Sequence, residues 1–523
     1  MRGNSFTGSP QAGITAEQGN WHRRFWLFWT AITAWRLCYL IISPLELAMD
    51  EAYYRDWGRL PDWGYYSKPP LIAWINTASS ALFGAGEFGV RLPAVLMGAA
   101  GLAALFYLAR RLFNDRTAFW AVLLTALSPG ACLLNFVMTI DAPLMFSWLF
   151  ALLFLWRALE GDILTSKRWW LLLSLAIGLG VLGKQMMLVF PVLMLLFLAV
   201  SRADRFWLRT PWPWLATLAG IVFLLPPLWW NAAHDWITFQ HSAQHFEGNS
   251  SPWRFLQTVP DFVAGQILIV SPLTALPFLV IAGRLTRSRA FLKDRRLLLL
   301  LVFSFLPLLL FFVESFRQRM NANWPAVFYP AAIILTAAWL TGALSVGSTA
   351  AENLWRRRIR FWAPATGAVL VILTYGLSFI FAHAGSLAGR TNPLSSLTGW
   401  RQLAGEVDAL RRSLPRADRV FFVVDHRETA AELAFYLPDQ PRVFLWKGNR
   451  ETITSQYDLW PGPDEKMKGW DAVCIFRSQN PPSEALASAF ATVSTAEPLV
   501  IPLGGDTRRR FTILIGEKLQ SWP

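Results

Sequence analysis

At 523 residues, with 54% hydrophobic and 16% charged residues, 28 Trp and 38 Phe, the chain is too apolar for a soluble enzyme of this length. Its 3 cysteines exclude a disulfide framework. The formal net charge of +14 would suit nucleic acid, but it is parcelled into short loops between apolar runs, which points to membrane topology and not to a nucleic-acid partner.

Residues 1–24 are polar, contain Gly and Pro, and read as a disordered cytoplasmic tail. The apolar run from Phe25 is too long for a signal peptide, and no small-residue cleavage site follows it. Runs of roughly 20 apolar residues place membrane spans near 25–44, 92–109, 117–134, 142–159, 169–184, 186–200, 213–230, 261–283, 297–313, 325–343 and 361–382. The expectation is a polytopic α-helical membrane protein with about eleven transmembrane helices over 25–383. Basic residues cluster in alternate loops, at Arg23–Arg24, Arg110–Arg116, Lys167–Arg168, Arg202–Arg209, Arg284–Arg296 and Arg356–Arg360. By the positive-inside rule the N-terminus is then cytoplasmic, and the loop carrying Asp50 and Lys68 faces outward. Beyond 384 the pattern changes. Helical periodicity from Gly399 to Arg412 and over 428–436 alternates with strand-like runs at 419–424, 442–446, 471–476 and 510–515. This predicts a small periplasmic α/β domain over 384–523, with Cys474 in its core and no phosphate-binding glycine loop.

The chemistry concentrates in the outward loops. Met49-Asp50-Glu51-Ala52-Tyr53-Tyr54 is followed by Tyr65-Tyr66-Ser67-Lys68-Pro69-Pro70. Adjacent carboxylates on a helix point about 100° apart, so one of Asp50 and Glu51 is expected to serve the reaction while the other caps or pairs. The diproline holds Lys68 extended, where its ammonium can meet a lipid phosphate or anchor at the interface. Asp141 stands at the mouth of an apolar helix, where a carboxylate is costly; N-capping is the simpler role. Lys184 follows a Gly-rich helix end suited to close packing. Arg317, Arg319, Asn323 and Trp324 form an outer basic and aromatic rim against the positive-inside trend. Arg36 is an intramembrane charge and hence a candidate in its own right. His234, His241 and His245 have no carboxylate or Cys at ligand spacing, so no metal site is expected there.

Taken together, Asp50-Glu51-x-Tyr53-Tyr54, Tyr65-Tyr66-x-Lys68-Pro69-Pro70-Leu71, Val90-Arg91-Leu92-Pro93, Thr139-x-Asp141-Ala142-Pro143-Leu144 and Asn323-Trp324-Pro325 resemble bacterial glycosyltransferase family 39. That family includes protein O-mannosyltransferases and the lipid A aminoarabinose and galacturonic acid transferases. Ser455-Gln456-Tyr457-Asp458-Leu459-Trp460 also resembles it. The resemblance implies a GT-C membrane fold that transfers a sugar, with inversion, from a polyprenyl-phosphate donor at the outer face of the inner membrane. The acceptor would be an envelope glycolipid, with lipopolysaccharide core or lipid A favoured, or a protein.

On this resemblance Asp50, Asp141 and Glu51 are the catalytic candidates. Lys68, Lys184, Arg317 and Arg319 would bind the donor phosphate, and Tyr53, Tyr54, Tyr65, Tyr66, Asn323 and Trp324 would line the substrate cavity. No cofactor is required, although a divalent metal is compatible. The aminoarabinose enzymes typically carry arginine where Tyr53 stands and glutamate where Ser67 stands, so a likely metal ligand is missing. Two other classes remain open: a lipid-linked-sugar flippase, which should show repeated halves and broken helices, and an assembly scaffold, which would not need carboxylates and lysine together in outer loops.

Overall fold

The computed structural model describes residues 10–244, 253–346, 350–383, 392, 394–448, 452–463, 465–478, 483–504 and 506–522. His245 and the expected boundary at 384 lie outside them. The chain divides into two compact units. One comprises residues 1–40, 91–228 and 243–374, the other residues 41–90, 229–242 and 375–523.

Helices α1 (Pro10–Ile42), α2 (Met49–Trp57), α3 (Leu71–Phe83), α4 (Glu87–Leu112), α5 (Asp115–Ala126), α6 (Pro129–Leu134), α7 (Asp141–Glu160) and α8 (Ile163–Gly183) open the chain. There follow α9 (Val189–Val200), α10 (Trp212–Val222), α11 (Leu225–Ala232), α12 (Ile237–Gln244), α13 (Phe255–Val270), α14 (Pro272–Ser288), α15 (Arg295–Val302), α16 (Phe305–Glu314), α17 (Tyr329–Thr341) and α18 (Ala350–His383). α1 begins at Pro10, well before the apolar signal at Phe25.

Among the described residues six helical stretches are long and apolar enough to cross a bilayer, and up to eight if two bent pairs are each counted as one. The chain is a multi-pass membrane protein; the count of eleven is not confirmed, and several of the apolar runs read as spans are broken. The run at 117–134 breaks into α5 and α6, because Ser128 caps a new helix with Pro129 at its first position. Residues 186–200 become a 3-10 turn and a 12-residue helix, too short to span. The run at 261–283 bends by 108° between α13 and α14, at Ser271 with φ 82° followed by Pro272.

The first unit is held by one large apolar core. At its centre Trp148 of α7 meets Phe190, Phe303 and Phe328 edge-on. α7 and α8 pack closely because α8 carries small residues on the shared side. A Cβ at Gly180 would lie 3.1 Å from Ser147 Cβ, and one at Gly183 3.5 Å from Pro143. A polar lock joins the basic loops: Arg295 donates to Asp204 at 2.7 Å, and the carboxylate also accepts from Ser201 Oγ at 2.6 Å.

The second unit contains a mixed sheet of β1 (Val420–Val424), β2 (Val443–Leu445), β3 (Asp471–Phe476), β4 (Phe490–Thr495), β5 (Leu499–Pro502) and β6 (Arg508–Leu519). Its order is β2-β1-β3-β6-β4, with β5 pairing the start of β6. β1 pairs in parallel with β2 and β3, and β6 runs antiparallel to β3 and β4. β4 and β5 are additional to the strands read from sequence. Cys474 is fully buried between Val473 and Ile475 in β3, with Phe421, Phe476, Phe490 and Leu514 in the same cluster.

This unit is larger than the C-terminal segment alone, because residues 41–90 are stitched into it. Glu46 accepts from the Trp400 and Arg401 N–H groups at 2.6 and 3.1 Å, at the start of α19 (Trp400–Ser413). Tyr436, at the end of α20 (Arg427–Tyr436), donates to Glu87 at 2.6 Å and accepts from Leu47 N–H at 2.7 Å. Arg59 donates to the Gln440 carbonyl at 2.8 Å.

Candidate active site

In the first unit three polar side chains converge where α7 begins, α8 ends and a 3-10 turn over Trp324–Phe328 leads into α17. Lys184 Nζ donates to Asp141 Oδ1 at 2.7 Å, and Asn323 Nδ2 donates to Asp141 Oδ2 at 2.7 Å. Asp141 holds the first turn of α7, so its negative charge sits at the favourable helix end. Its side chain does not cap its own helix; both oxygens turn to side chains from elsewhere. Lys184 leaves α8 in extended conformation, φ −159° and ψ 134°, which swings its stem out of the helix towards Asp141. The side chains of Lys184 and Asp141 are only 13% and 10% exposed, so the pair is shielded and strongly coupled. Asn323 lies at the exposed edge of the group. The result is a charge-neutral carboxylate–ammonium pair with one accessible side.

In the second unit the acidic motif opens α2. Glu51 is fully buried, and its Oε2 accepts from the Ala48 N–H at 3.0 Å. That is the reciprocal bond of a helix N-terminus, and it commits Glu51 to structure. Asp50, also in the first turn, is half-buried.

The tyrosines are largely committed as well. Tyr53 is buried, its hydroxyl accepts from the Gln456 N–H, and its ring lies 5.5 Å from that of Tyr457. Burial raises the Tyr53 phenol well above its usual range. Tyr65 stacks on Trp57 at 4.6 Å, donates to the Leu60 carbonyl at 3.1 Å and accepts from the Asp62 N–H at 2.9 Å. Tyr66 donates its backbone N–H to Gln456 Oε1 at 2.7 Å and packs its ring 4.8 Å from His241. Tyr54 is buried against Trp57 at 4.9 Å. The cavity-lining role expected of Tyr53 and Tyr65 therefore gives way to holding the loop.

That loop presents Lys68. The Tyr65 N–H bonds the Lys68 carbonyl at 3.3 Å, Thr238 Oγ1 donates to the Tyr65 carbonyl at 2.8 Å, and Pro70 precedes α3. Lys68 is half-buried on this braced turn. Residues that sequence reasoning did not single out complete the brace. Asp56 accepts from Tyr457 at 2.8 Å and Arg59 at 3.0 Å, and Asp62 accepts from Trp230 at 2.7 Å.

Arg317 and Arg319 are exposed, and Arg317 makes a loose pair with Glu314 at 3.4 Å. Trp324 is half-buried at the start of its 3-10 turn. His234 stacks on Trp230 at 3.9 Å. Among the described residues no group of three or more His, Cys, Asp or Glu side chains is arranged to hold a metal ion. Ser67 is buried in the braced turn.

Residues 67–230 match the family model described as dolichyl-phosphate-mannose-protein mannosyltransferase. The chain is 29% identical over 415 residues to the lipid A galacturonosyltransferase RgtD of Rhizobium johnstonii, covering 78% of this chain and 81% of that one. It is 28% identical over 364 residues to an undecaprenyl phosphate-alpha-4-amino-4-deoxy-L-arabinose arabinosyl transferase of Pectobacterium carotovorum, covering 65% and 61%. Among solved structures, ArnT from Cupriavidus metallidurans bound to undecaprenyl phosphate superposes with a TM-score of 0.64 at 17% identity, over 95% of this chain and 98% of that one. The archaeal oligosaccharyltransferase AglB from Archaeoglobus fulgidus shares the fold more distantly, with a TM-score of 0.51 at 14% identity over 87% and 70%. Family model and relatives agree in what the chain is similar to, glycosyltransferases of the membrane, and its fold is that of ArnT.

Proposed function

We propose that this chain moves a sugar from a polyprenyl-phosphate carrier to lipid A or the adjoining lipopolysaccharide core, at the outer face of the inner membrane. The observation that carries the reading is the shielded Asp141–Lys184–Asn323 group at the ends of apolar helices. A charge pair placed there makes little sense as packing, because an apolar pair of similar volume would be at least as stable. The relatives support the substrate classes: one is named for galacturonosyl transfer to lipid A, another for arabinosyl transfer from an undecaprenyl-phosphate sugar.

In the reaction the bond from the anomeric carbon to the carrier phosphate breaks, and a bond to the acceptor oxygen forms on the opposite face. Fixed cations stabilise the departing phosphate as its charge develops. Lys184 is neutralised by Asp141, so it supplies an oriented donor more than net charge. On the resemblance to family 39, Lys68 is the residue expected to meet the carrier phosphate. If the acceptor is a hydroxyl, Asp50 takes its proton as general base. If it is a phosphate, the acceptor is already anionic and Asp50 steadies the positively charged sugar centre. Alignment of donor and acceptor supplies much of the remaining acceleration. The N-terminus is cytoplasmic and residues 384–523 are periplasmic in this reading, following the alternation of basic loops.

The test is the purified full chain in lipid vesicles with a radiolabelled polyprenyl-phosphate sugar and lipid A. Label appearing on lipid A supports the assignment. Label that crosses the bilayer without transfer would identify a flippase instead.

A further inference from the structure

Arg36 lies on the apolar part of α1, which runs from Gly19 to Ile42. It is 2% exposed, and none of its Nε, Nη1 and Nη2 atoms has a hydrogen-bond partner among the described residues. Snorkelling does not account for it, since a snorkelling head group reaches water. Other arginines of the same unit are matched: Arg295 bonds Asp204, and the equally buried Arg91 lies 4.4 Å over the ring of Phe136.

Neighbouring contacts locate Arg36. Phe25 stacks on Phe106 at 3.8 Å and Trp29 donates to the Ala99 carbonyl at 2.7 Å, so α1 and α4 run antiparallel. Arg36 is two turns beyond Trp29. One turn further, Tyr39 meets Phe136 at 4.9 Å. Beside Phe136, Asn135 is buried with its Oδ1 unsatisfied, seated where Gly98 of α4 has no Cβ to collide with it. The layer of Arg36 therefore adjoins the short segment that runs from Phe136 to Asp141, a reach of at most about 18 Å. A guanidinium buried with no anion is strongly unfavourable, while its planar fork matches phosphate or carboxylate oxygens in bidentate fashion.

We infer that Arg36 is a substrate-binding residue that holds an oxyanion of the lipid-linked donor. The oxyanion is the carrier phosphate or the carboxylate of a uronic sugar. The inference rests on the transferase reading above, and it adds a second anion anchor within the unit that carries Asp141 and Lys184.

The test uses the full chain in nanodiscs, comparing wild type with Arg36→Gln and Arg36→Lys. Binding of undecaprenyl phosphate is followed by native mass spectrometry, and transfer is followed with uronic and neutral donors. If the carrier phosphate is held, Arg36→Gln binds undecaprenyl phosphate about 10- to 100-fold more weakly, and Arg36→Lys recovers part of the loss. If the sugar carboxylate is held, carrier binding is unchanged and only transfer from the uronic donor falls. Unchanged binding together with unchanged transfer from both donors overturns the inference, while wild-type transfer leaves the transferase reading standing. A wild type that neither binds the carrier nor transfers removes both. Should the variants fail to fold, a cryo-EM structure of wild type with undecaprenyl phosphate decides: an oxyanion on the guanidinium supports the inference, and water alone bridging Arg36 and Asn135 ends it.

Discussion

The segment around Asp50 and Lys68 and the group around Asp141 differ in how their polar side chains are used. In the first, Glu51 serves the end of α2, Tyr53 serves the Gln456 N–H, and Tyr65 serves the Leu60 carbonyl and Asp62 N–H. In the second, Lys184 and Asn323 each donate a side-chain hydrogen bond to Asp141, at 2.7 Å. The dense motif is thus largely a frame, whereas the sparse one gathers its polar side chains on a single carboxylate. Substitutions in the two regions should therefore fail differently, one through stability and the other through turnover.

The largest effect is expected at Asp141. Asp141→Ala leaves Lys184 shielded and uncompensated, a loss of about 3–5 kcal/mol in stability for a buried pair and upwards of a hundredfold in transfer. Pairing Asp141→Asn with Lys184→Met should restore thermal stability but not transfer. Recovery of both in the double variant would make the group a structural clasp and erase the contrast.

Next in size, Lys68→Ala should slow turnover by about a hundredfold, with expression near normal. Lys68→Arg should also be poor, since a planar fork does not reproduce a compact ammonium. Initial rates with a defined donor measure both, and a near-normal rate in the alanine variant would reduce Lys68 to an interfacial anchor.

Asp50 and Glu51 sharpen the comparison within a single helical turn. Asp50→Asn should abolish transfer to a hydroxyl acceptor, yet leave measurable, nearly pH-independent transfer to a phosphate. Glu51→Ala should cost about 1 kcal/mol of folding stability through the lost terminal bond, with turnover per folded molecule unchanged. A pH–rate profile beside a melting curve separates them, and the reverse pattern would exchange their roles.

The smallest effect concerns Glu432 of α20, which is fully buried with neither carboxylate oxygen hydrogen-bonded among the described residues. Burial first, then the charges of Glu428, Glu46 and Glu51, push its pKa well above the ordinary carboxyl range. A carboxyl raised on folding contributes stability that is complete below its unfolded range and is lost as pH rises through its folded value. Wild-type thermal stability should accordingly fall across that window, and Glu432→Gln should flatten the fall. Scanning fluorimetry over a pH series reads this, and equal slopes in the two proteins would remove Glu432 as the cause.

Much of this was legible in the sequence and some was not, for identifiable reasons. Asp141, Lys184 and Asn323 each stand out locally, since a charge or amide beside apolar runs is conspicuous. Their meeting is not legible, because it joins positions 43 and 182 residues apart. The frame roles of Tyr53 and Asp56 are hidden for the same reason, their partners Gln456 and Tyr457 lying 403 and 401 residues away. Strand β4 was missed because, after its buried first residue, its faces are largely solvent-exposed and carry little apolar alternation. Ser128-Pro129 and Ser271-Pro272 break helices within apolar runs, which hydropathy does not register.

The frame around α2 also has a consequence in time. Tyr53 and Asp56 leave the ribosome some 400 residues before the groups that satisfy them, an interval of about 20–80 s at ordinary rates of synthesis. Throughout that interval α2 is a short segment with buried-type tyrosines and a carboxylate still in search of company. On the proposed reading, competence that depends on this frame arrives only with the last quarter of the chain, and a ribosome stalled before residue 456 leaves α2 without these partners.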